Sequence, residues 1–291
     1  MKSAAVSIIG RPSAGKSSLL NTICGHKVSI ISPVPQTTRN MIRGIWNDPL
    51  GQLLFLDTPG YHDSERKFNR QLQHVAVRAM NDADTILYVV DSSRKPGREE
   101  SAILDLLSVT SVPVVAAVNK IDLPYAVPDE AATWIHARLP AVMCIPVSAV
   151  TREGIQTLLD VLIGLAPEGE ALYPEEYYTD QPPEFRIAEI IREQTIIRVS
   201  EEIPHAVFVD IADIETDEPN SKLFIRAFIN VERESQKGIV VGKGGRGIRD
   251  IRKASQRELR KLFPYSIELD LRVKVQHKWR KRDDLVKKLI Y

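Results

Sequence analysis

Short apolar runs alternate with amphipathic stretches through the first 165 residues of the chain. Ala4–Ile9, Met41–Trp46, Gln52–Leu56, Thr85–Val90, Val112–Val118 and Val142–Val147 are such runs and are predicted strands. Between most of them, Ser17–Ile23, Phe68–Met80, Glu99–Ser108, Asp129–Arg138 and Ile155–Leu165 carry apolar residues at helical spacing. Strands alternating with helices imply a mostly parallel sheet with helices on both faces. On such sheets ligands bind outside the carboxyl ends of the strands.

The pattern stops at residues 166–184, which are rich in proline, glutamate and tyrosine and have no apolar period. They read as a linker. A second unit follows: a helix over Phe185–Glu202, strands at Ala206–Ile214 and Leu223–Glu232, and a glycine-broken helix pair over Gly238–Phe263. A strand at Ser266–Gln276 and a last helix at Asp283–Ile290 close the chain. The predicted division is 1–166, a linker at 167–184, and 185–291.

Charge changes this picture by separating the two parts. Residues 1–184 hold 16 basic and 21 acidic side chains, whereas 185–291 hold 23 and 17, so the near-neutral total hides an acidic front and a basic back. A basic C-terminal unit points to an anionic partner such as nucleic acid. The two cysteines, Cys24 and Cys144, have no metal-ligand spacing and read as reduced thiols. No signal peptide is evident, and no uncharged apolar run is long enough to span a bilayer.

The chemistry-bearing residues fall at the carboxyl ends of the predicted strands. Gly10-Arg11-Pro12-Ser13-Ala14-Gly15-Lys16-Ser17, with Ser18 behind it, matches G-x-x-x-x-G-K-[ST] between a strand and a helix. Backbone N–H groups and the helix N-terminus cradle phosphates there. Lys16 reaches the β and γ phosphates, and Ser17 holds Mg²⁺. Asn119-Lys120-Ile121-Asp122 selects guanine over adenine: Asp122 accepts from N1–H and the 2-amino group together, and adenine would leave that carboxylate unpaired. Asn119 braces the base and the phosphate loop, the Lys120 stem covers a base face, and Ser148-Ala149 offers a backbone N–H to O6. Asp57-Thr58-Pro59-Gly60 follows a strand, with Asp57 at Mg²⁺ through water and the Gly60 N–H sensing the γ-phosphate. Gln36-Thr37-Thr38-Arg39 is the candidate switch loop, with Tyr61 completing the second switch. Thr38 is taken as the metal contact and Thr37 as the alternative. The catalytic set is thus Lys16, Thr38 and Gly60, and the metal set Ser17, Thr38 and Asp57.

In the basic unit, Gly242-Lys243-Gly244-Gly245, followed by Arg246, breaks the helix pair. Glycines at such a break let a sugar-phosphate backbone approach, while Lys243, Arg246, Arg249 and Lys253 supply charge. Residues 237–288 carry 17 Lys and Arg against 6 Asp and Glu. Trp279, inside His277-Lys278-Trp279-Arg280-Lys281-Arg282, is open between a stacking role and a core role. A rival reading makes this face a docking surface for a protein or a membrane. A metabolic phosphate-loop kinase is disfavoured by the guanine motifs.

Together with the PQTTR string, the linker and the EIIRE string at Glu189–Glu193, these motifs make the whole chain resemble the Era family of translation-factor-related GTPases. The resemblance implies an α/β P-loop GTPase domain followed by an α+β type II KH domain, with GTP or GDP as ligand and Mg²⁺ as cofactor. It implies slow GTP hydrolysis, binding of small-subunit (16S) rRNA near its 3′ end, and a role in rRNA processing and 30S subunit assembly. It also implies a cytoplasmic protein with a peripheral fraction at the inner membrane; a monomer is expected. Ser13 stands where many relatives have an asparagine that helps hold an activating potassium ion, so potassium stimulation is expected to be weak or absent. Tyr61 stands where many GTPases carry a water-orienting glutamine.

Overall fold

The computed structural model describes residues 1–35, 37–60, 76–199, 203–282, 285 and 289. The chain forms two compact units, one built mainly from Met1–Ile31 and Thr38–Asp180, the other from Ser32–Thr37 and Gln181–Lys288.

The first unit is a six-stranded sheet: β1 (Lys2–Ile9), β2 (Ile42–Asp48), β3 (Gly51–Asp57), β4 (Thr85–Asp91), β5 (Val114–Asn119) and β6 (Met143–Pro146), in the order β2-β3-β1-β4-β5-β6. Among these six strands, as described, only β2 and β3 pair antiparallel. Every residue of β4 is buried, as expected for a central strand covered on both faces. The helices are α1 (Lys16–Cys24), α2 (Arg98–Ser108), α3 (Pro128–His136) and α4 (Ile155–Leu165). Residues 76–81 are helical, and the start of the predicted segment Phe68–Met80 lies outside the described residues. β1 sits between β3 and β4, so the connections leave it in opposite directions and open a crevice above its carboxyl end.

Two predicted strands are shorter than their apolar runs, the first because of a proline and the second because the Val142 N–H closes a turn on Leu139 O at 3.1 Å. The run Val112–Val118 joins the sheet only from Val114, because Pro113 has no N–H to donate; its carbonyl still accepts from Ile86 at 2.8 Å. The run Val142–Val147 pairs only over Met143–Pro146. Residues 167–180, part of the predicted linker, lie along the β2–β3 edge. Ile45 N–H donates to Tyr178 O at 3.0 Å, and Gln52 accepts from the Leu172 and Tyr173 N–H groups at 2.8 and 2.9 Å. Arg43 pairs with Asp180 at 2.9 Å. These contacts cover part of the edge strand.

The second unit contains α5 (Pro183–Ile196), α6 (Ile203–Ala206), β7 (Phe208–Asp217), β8 (Lys222–Val231), α7 (Glu234–Val241), a 3-10 turn (Lys243–Gly245), α8 (Arg246–Leu259) and β9 (Ser266–Val275). Its sheet runs β7-β8-β9, antiparallel then parallel. Alternate residues Leu223, Ile225, Ala227 and Ile229 of β8 face a core completed by Ile187, Ile190 and Ile191 of α5 and Ile251 and Leu259 of α8. Of the predicted closing helix, residues 285 and 289 are described, and both are helical.

Candidate nucleotide and RNA sites

The phosphate loop leaves β1 at Ile9 and enters α1 at Lys16. Its shape depends on Gly15, which has φ +100° and no room for a Cβ: one would lie 2.3 Å from Asn119 Nδ2. Ser13 also takes the left-handed conformation, φ 64°. α1 buries Leu19, Leu20 and Ile23 and so anchors the loop to the core, while Ser17 and Ser18 in its first turn stay partly exposed. Lys16 is buried, and its Nζ donates to the carbonyls of Gly10 and Arg11 at 2.9 and 3.0 Å. Burial draws its ammonium well below the ordinary lysine range, to about 8, against the opposing pull of Asp57.

Four oxygens converge beside Lys16. Ser17 Oγ lies 2.9 Å from Thr38 Oγ1 and donates to Asp57 Oδ2 at 2.7 Å; Ser29 Oγ donates to the same atom at 3.0 Å. Burial pushes the Asp57 carboxyl up, against the opposing effects of Lys16, Ser17 and Ser29. Its Oδ1 is buried with no hydrogen-bond partner among the described residues. A set of hard oxygens with one unsatisfied carboxylate atom fits Mg²⁺. The described residues contain no cluster of three or more His, Cys, Asp or Glu. Between the two candidate threonines, the geometry favours Thr38. Thr37 Oγ1 is engaged within its own turn, 2.6 Å from both Ser32 Oγ and Val34 O. Thr58 donates to Ile8 O at 2.7 Å, which fixes the start of Asp57–Gly60, and Gly60 lies against Pro12. Arg39 is buried; Gln36 and Tyr61 lie outside the described residues.

The guanine residues meet at the ends of β5 and β6. Asn119 is buried and braces two loops: Nδ2 donates to Ala14 O at 3.0 Å, and Oδ1 accepts from Ala149 N–H at 3.2 Å. The Ala149 N–H assigned to the base from sequence is thus directed at Asn119 here. Asp122 is exposed, and one of its oxygens accepts from Ser148 Oγ at 2.7 Å. Ser148 Oγ also accepts from the Val150 and Thr151 N–H groups at 3.2 and 3.0 Å, so one hydroxyl orients Asp122 and closes its own loop. Lys120 Nζ donates to Ser13 O at 2.8 Å and to Asp91 at 2.7 Å. Asp91, buried at the end of β4, also pairs with Arg11, which in turn meets Glu100 of α2. Burial opposes charge on Asp91, but the hydrogen bonds from Lys120 and Ser93 outweigh it and hold the carboxyl below its ordinary range. Asp91, Ser29 and Glu100 were missed by the sequence reading. For Asp91 a signal existed: an acid closing an apolar strand, as Asp57 does.

In the second unit, Gly242, Gly244 and Gly245 all have positive φ and turn α7 into α8. Gly244, at φ +60°, faces open space, so an added side chain meets strain rather than a clash. Lys243, Arg246, Arg249 and Lys253 are exposed, and none forms an ion pair with a described residue. Cations on the sheet behave differently: Lys222, Arg226 and Arg272 pair with Glu268 or Asp270. Unpaired charge is therefore concentrated at the glycine turn and along one side of α8. Trp279 belongs to the core: it is fully buried, donates from Nε1 to Ala206 O at 2.8 Å and meets Phe208 edge-on at 5.0 Å.

A mostly parallel sheet carrying a phosphate loop and a guanine loop, joined to a three-stranded unit with an exposed cationic glycine turn, defines a guanine-nucleotide-binding protein with a KH domain. The family described as "50S ribosome-binding GTPase" matches residues 5–120, and the KH domain family matches residues 202–280. GTPase Era of Treponema denticola is 49% identical over 294 residues that span 100% of both chains, and that of Borreliella burgdorferi is 43% identical over 291 residues, again spanning both. The crystal structure of an Era in complex with MgGDPNP and nucleotides 1506-1542 of 16S ribosomal RNA superimposes with a TM-score of 0.94 at 34% identity, covering 99% of this chain and 98% of that one. The chain belongs to the Era family of GTPases.

Proposed function

We propose that this GTPase engages the 3′ region of small-subunit rRNA through the turn Gly242–Gly245 and the α8 cations, and assists rRNA processing and 30S assembly under control of its nucleotide. The observation that carries the reading is the row of exposed, unpaired cations at the glycine turn in a chain that also holds a complete guanine site. The relative crystallised with a 16S rRNA segment supports it. In this reading Gly10–Ser18 and the Gly60 N–H hold the phosphates, and Ser17, Thr38 and Asp57 hold Mg²⁺. Bound Mg²⁺ would offset charge on the β and γ phosphates. Lys16 and the loop N–H groups stabilise charge that grows as water attacks the γ-phosphorus, so catalysis is positioning and electrostatics. Asn119, Lys120, Asp122, Ser148 and Ala149 enclose the base. Gln36–Arg39 and Asp57–Tyr61 respond to the γ-phosphate. The division into 1–166, 167–184 and 185–291 belongs to the same reading, as do a monomeric state and a cytoplasmic location with a peripheral inner-membrane fraction. No helix among the described residues is long and apolar enough to cross a membrane.

Crosslinking and sequencing of bound RNA with GTP, GDP or no nucleotide tests the proposal. Enrichment of the rRNA 3′ region with GTP is expected; RNA recovery indifferent to sequence and nucleotide overturns it. With Ser13 in the phosphate loop, replacing sodium by potassium at equal ionic strength should leave the hydrolysis rate unchanged, and a clear gain would refute that expectation.

A further inference from the structure

The EIIRE string on α5 has a geometry that its helix alone does not require. Glu189 and Arg192 lie one turn apart and form a two-pronged pair, Arg192 Nε to Oε1 at 2.7 Å and Nη2 to Oε2 at 2.6 Å. That pair engages both carboxylate oxygens and two of the guanidinium nitrogens within the helix. Arg192 nevertheless directs a third bond outward, from Nη2 to the carbonyl of Thr37 at 2.7 Å, with its side chain only 3% exposed. Its Nη1 is buried without a hydrogen-bond partner among the described residues. Carrying a guanidinium into such a site costs desolvation that an apolar residue of similar size would avoid. The charge there serves direction rather than burial.

The direction is informative. Ser32–Thr37 groups with the second unit, and the very next residue, Thr38, groups with the first. The Thr37 carbonyl and the Thr38 N–H share one rigid peptide plane. A short, charge-assisted bond to that carbonyl therefore fixes the plane from which Thr38 departs. The preceding turn is locked as well, through Thr37 Oγ1 to Val34 O and Ser32 Oγ. Thr38 Oγ1 then stands 2.9 Å from Ser17 Oγ. We propose that Arg192 is a positioning residue for Thr38: it pins the Thr37–Thr38 peptide so that the Thr38 hydroxyl meets the metal and γ-phosphate site. This inference rests on the reading of Thr38 as the metal contact.

Because the γ-phosphate distinguishes GTP from GDP, a positioning role predicts a selective defect. Full-length Arg192→Gln, Thr38→Ala and the double variant are compared for affinity toward GDP and a non-hydrolysable GTP analogue, and for single-turnover hydrolysis. Arg192→Gln should lose about tenfold in analogue affinity and in hydrolysis rate with GDP affinity unchanged, and the double variant should be no worse than Thr38→Ala alone. Arg192→Lys, which keeps the charge but not the planar fork, should fall between. Should Arg192→Gln fail to fold, Glu189→Gln, which leaves the guanidinium in place but loosens it, must shift the GTP-to-GDP ratio in the same direction. Equal losses for both nucleotides, no loss, or additive losses in the double variant overturn the proposal. If Thr38→Ala itself leaves the ratio unchanged, the assignment of Thr38 fails and the role of Arg192 falls with it. If Thr38→Ala shifts the ratio and Arg192→Gln does not, only the inference about Arg192 fails.

Discussion

At the residue scale, base selection rests on one carboxylate and the hydroxyl that aims it. Asp122 is exposed toward the ligand side and held by Ser148 Oγ at 2.7 Å. Replacing it by asparagine keeps the size but exchanges two acceptors for one acceptor and one donor. Asp122→Asn should weaken GTP by about 2 kcal/mol, near 30-fold, and leave ATP unaffected. Competition titrations that return the original GTP-to-ATP preference would show that another group reads the base. Lys16 gives a pH signature. Its ammonium is drawn to about 8 in the free protein, and phosphate favours the charged form. Above about pH 8 the bound state therefore holds more protons than the free state, and GDP affinity should fall by up to about fivefold between pH 8 and 9. The free fold responds in the opposite sense: its depressed lysine makes stability rise through the same window, because the unfolded chain retains the proton. Affinity that is level from pH 7 to 9 would remove Lys16 from the phosphate site. The motif residues were legible one by one because each has a fixed spacing. Asp91 and Arg192 were not, since their partners, Lys120 and Thr37, are 29 and 155 residues away.

At the element scale, the apolar period located strands and helices well, and Pro113 trimmed one strand that it overran. What the period cannot report is pairing by polar side chains. Residues 167–180 look unstructured by composition, yet Gln52 alone holds three of their backbone groups, the N–H groups of Leu172 and Tyr173 and the carbonyl of Tyr173. The α7–turn–α8 element carries its own prediction. Gly244→Asp introduces a negative charge among Lys243, Arg246 and Arg249 and strains the left-handed turn by roughly 1–2 kcal/mol, too little to unfold a domain. RNA binding should be lost while nucleotide turnover persists; crosslinking that survives in the variant would favour a protein or membrane partner for this face. If the four unpaired cations each neutralise one phosphate, the slope of log affinity against log salt should be near −3 for single-stranded RNA. Lys253→Gln should make that slope shallower by about 0.7, and an unchanged slope would place this side of α8 outside the contact.

At the scale of the whole molecule, each unit has a core of its own. The first is organised around the buried strands β1, β4 and β5, the second around β8 and the isoleucines of α5. Trp279 shows why the sequence left its role open. Its neighbours are all charged, so no local pattern marks it as buried, yet it fills a site under β7 and satisfies the carbonyl of Ala206. Removing it creates a cavity and orphans that carbonyl, so Trp279→Ala should cost the second unit about 3–5 kcal/mol. GDP, held by the first unit, should stabilise that unit by about 2.7 kcal/mol at one hundred times its Kd. Two separate cores thus predict two calorimetric transitions that answer to different perturbations: GDP raises one, and Trp279→Ala lowers the other. A single transition moved by both would mean that the two cores unfold as one.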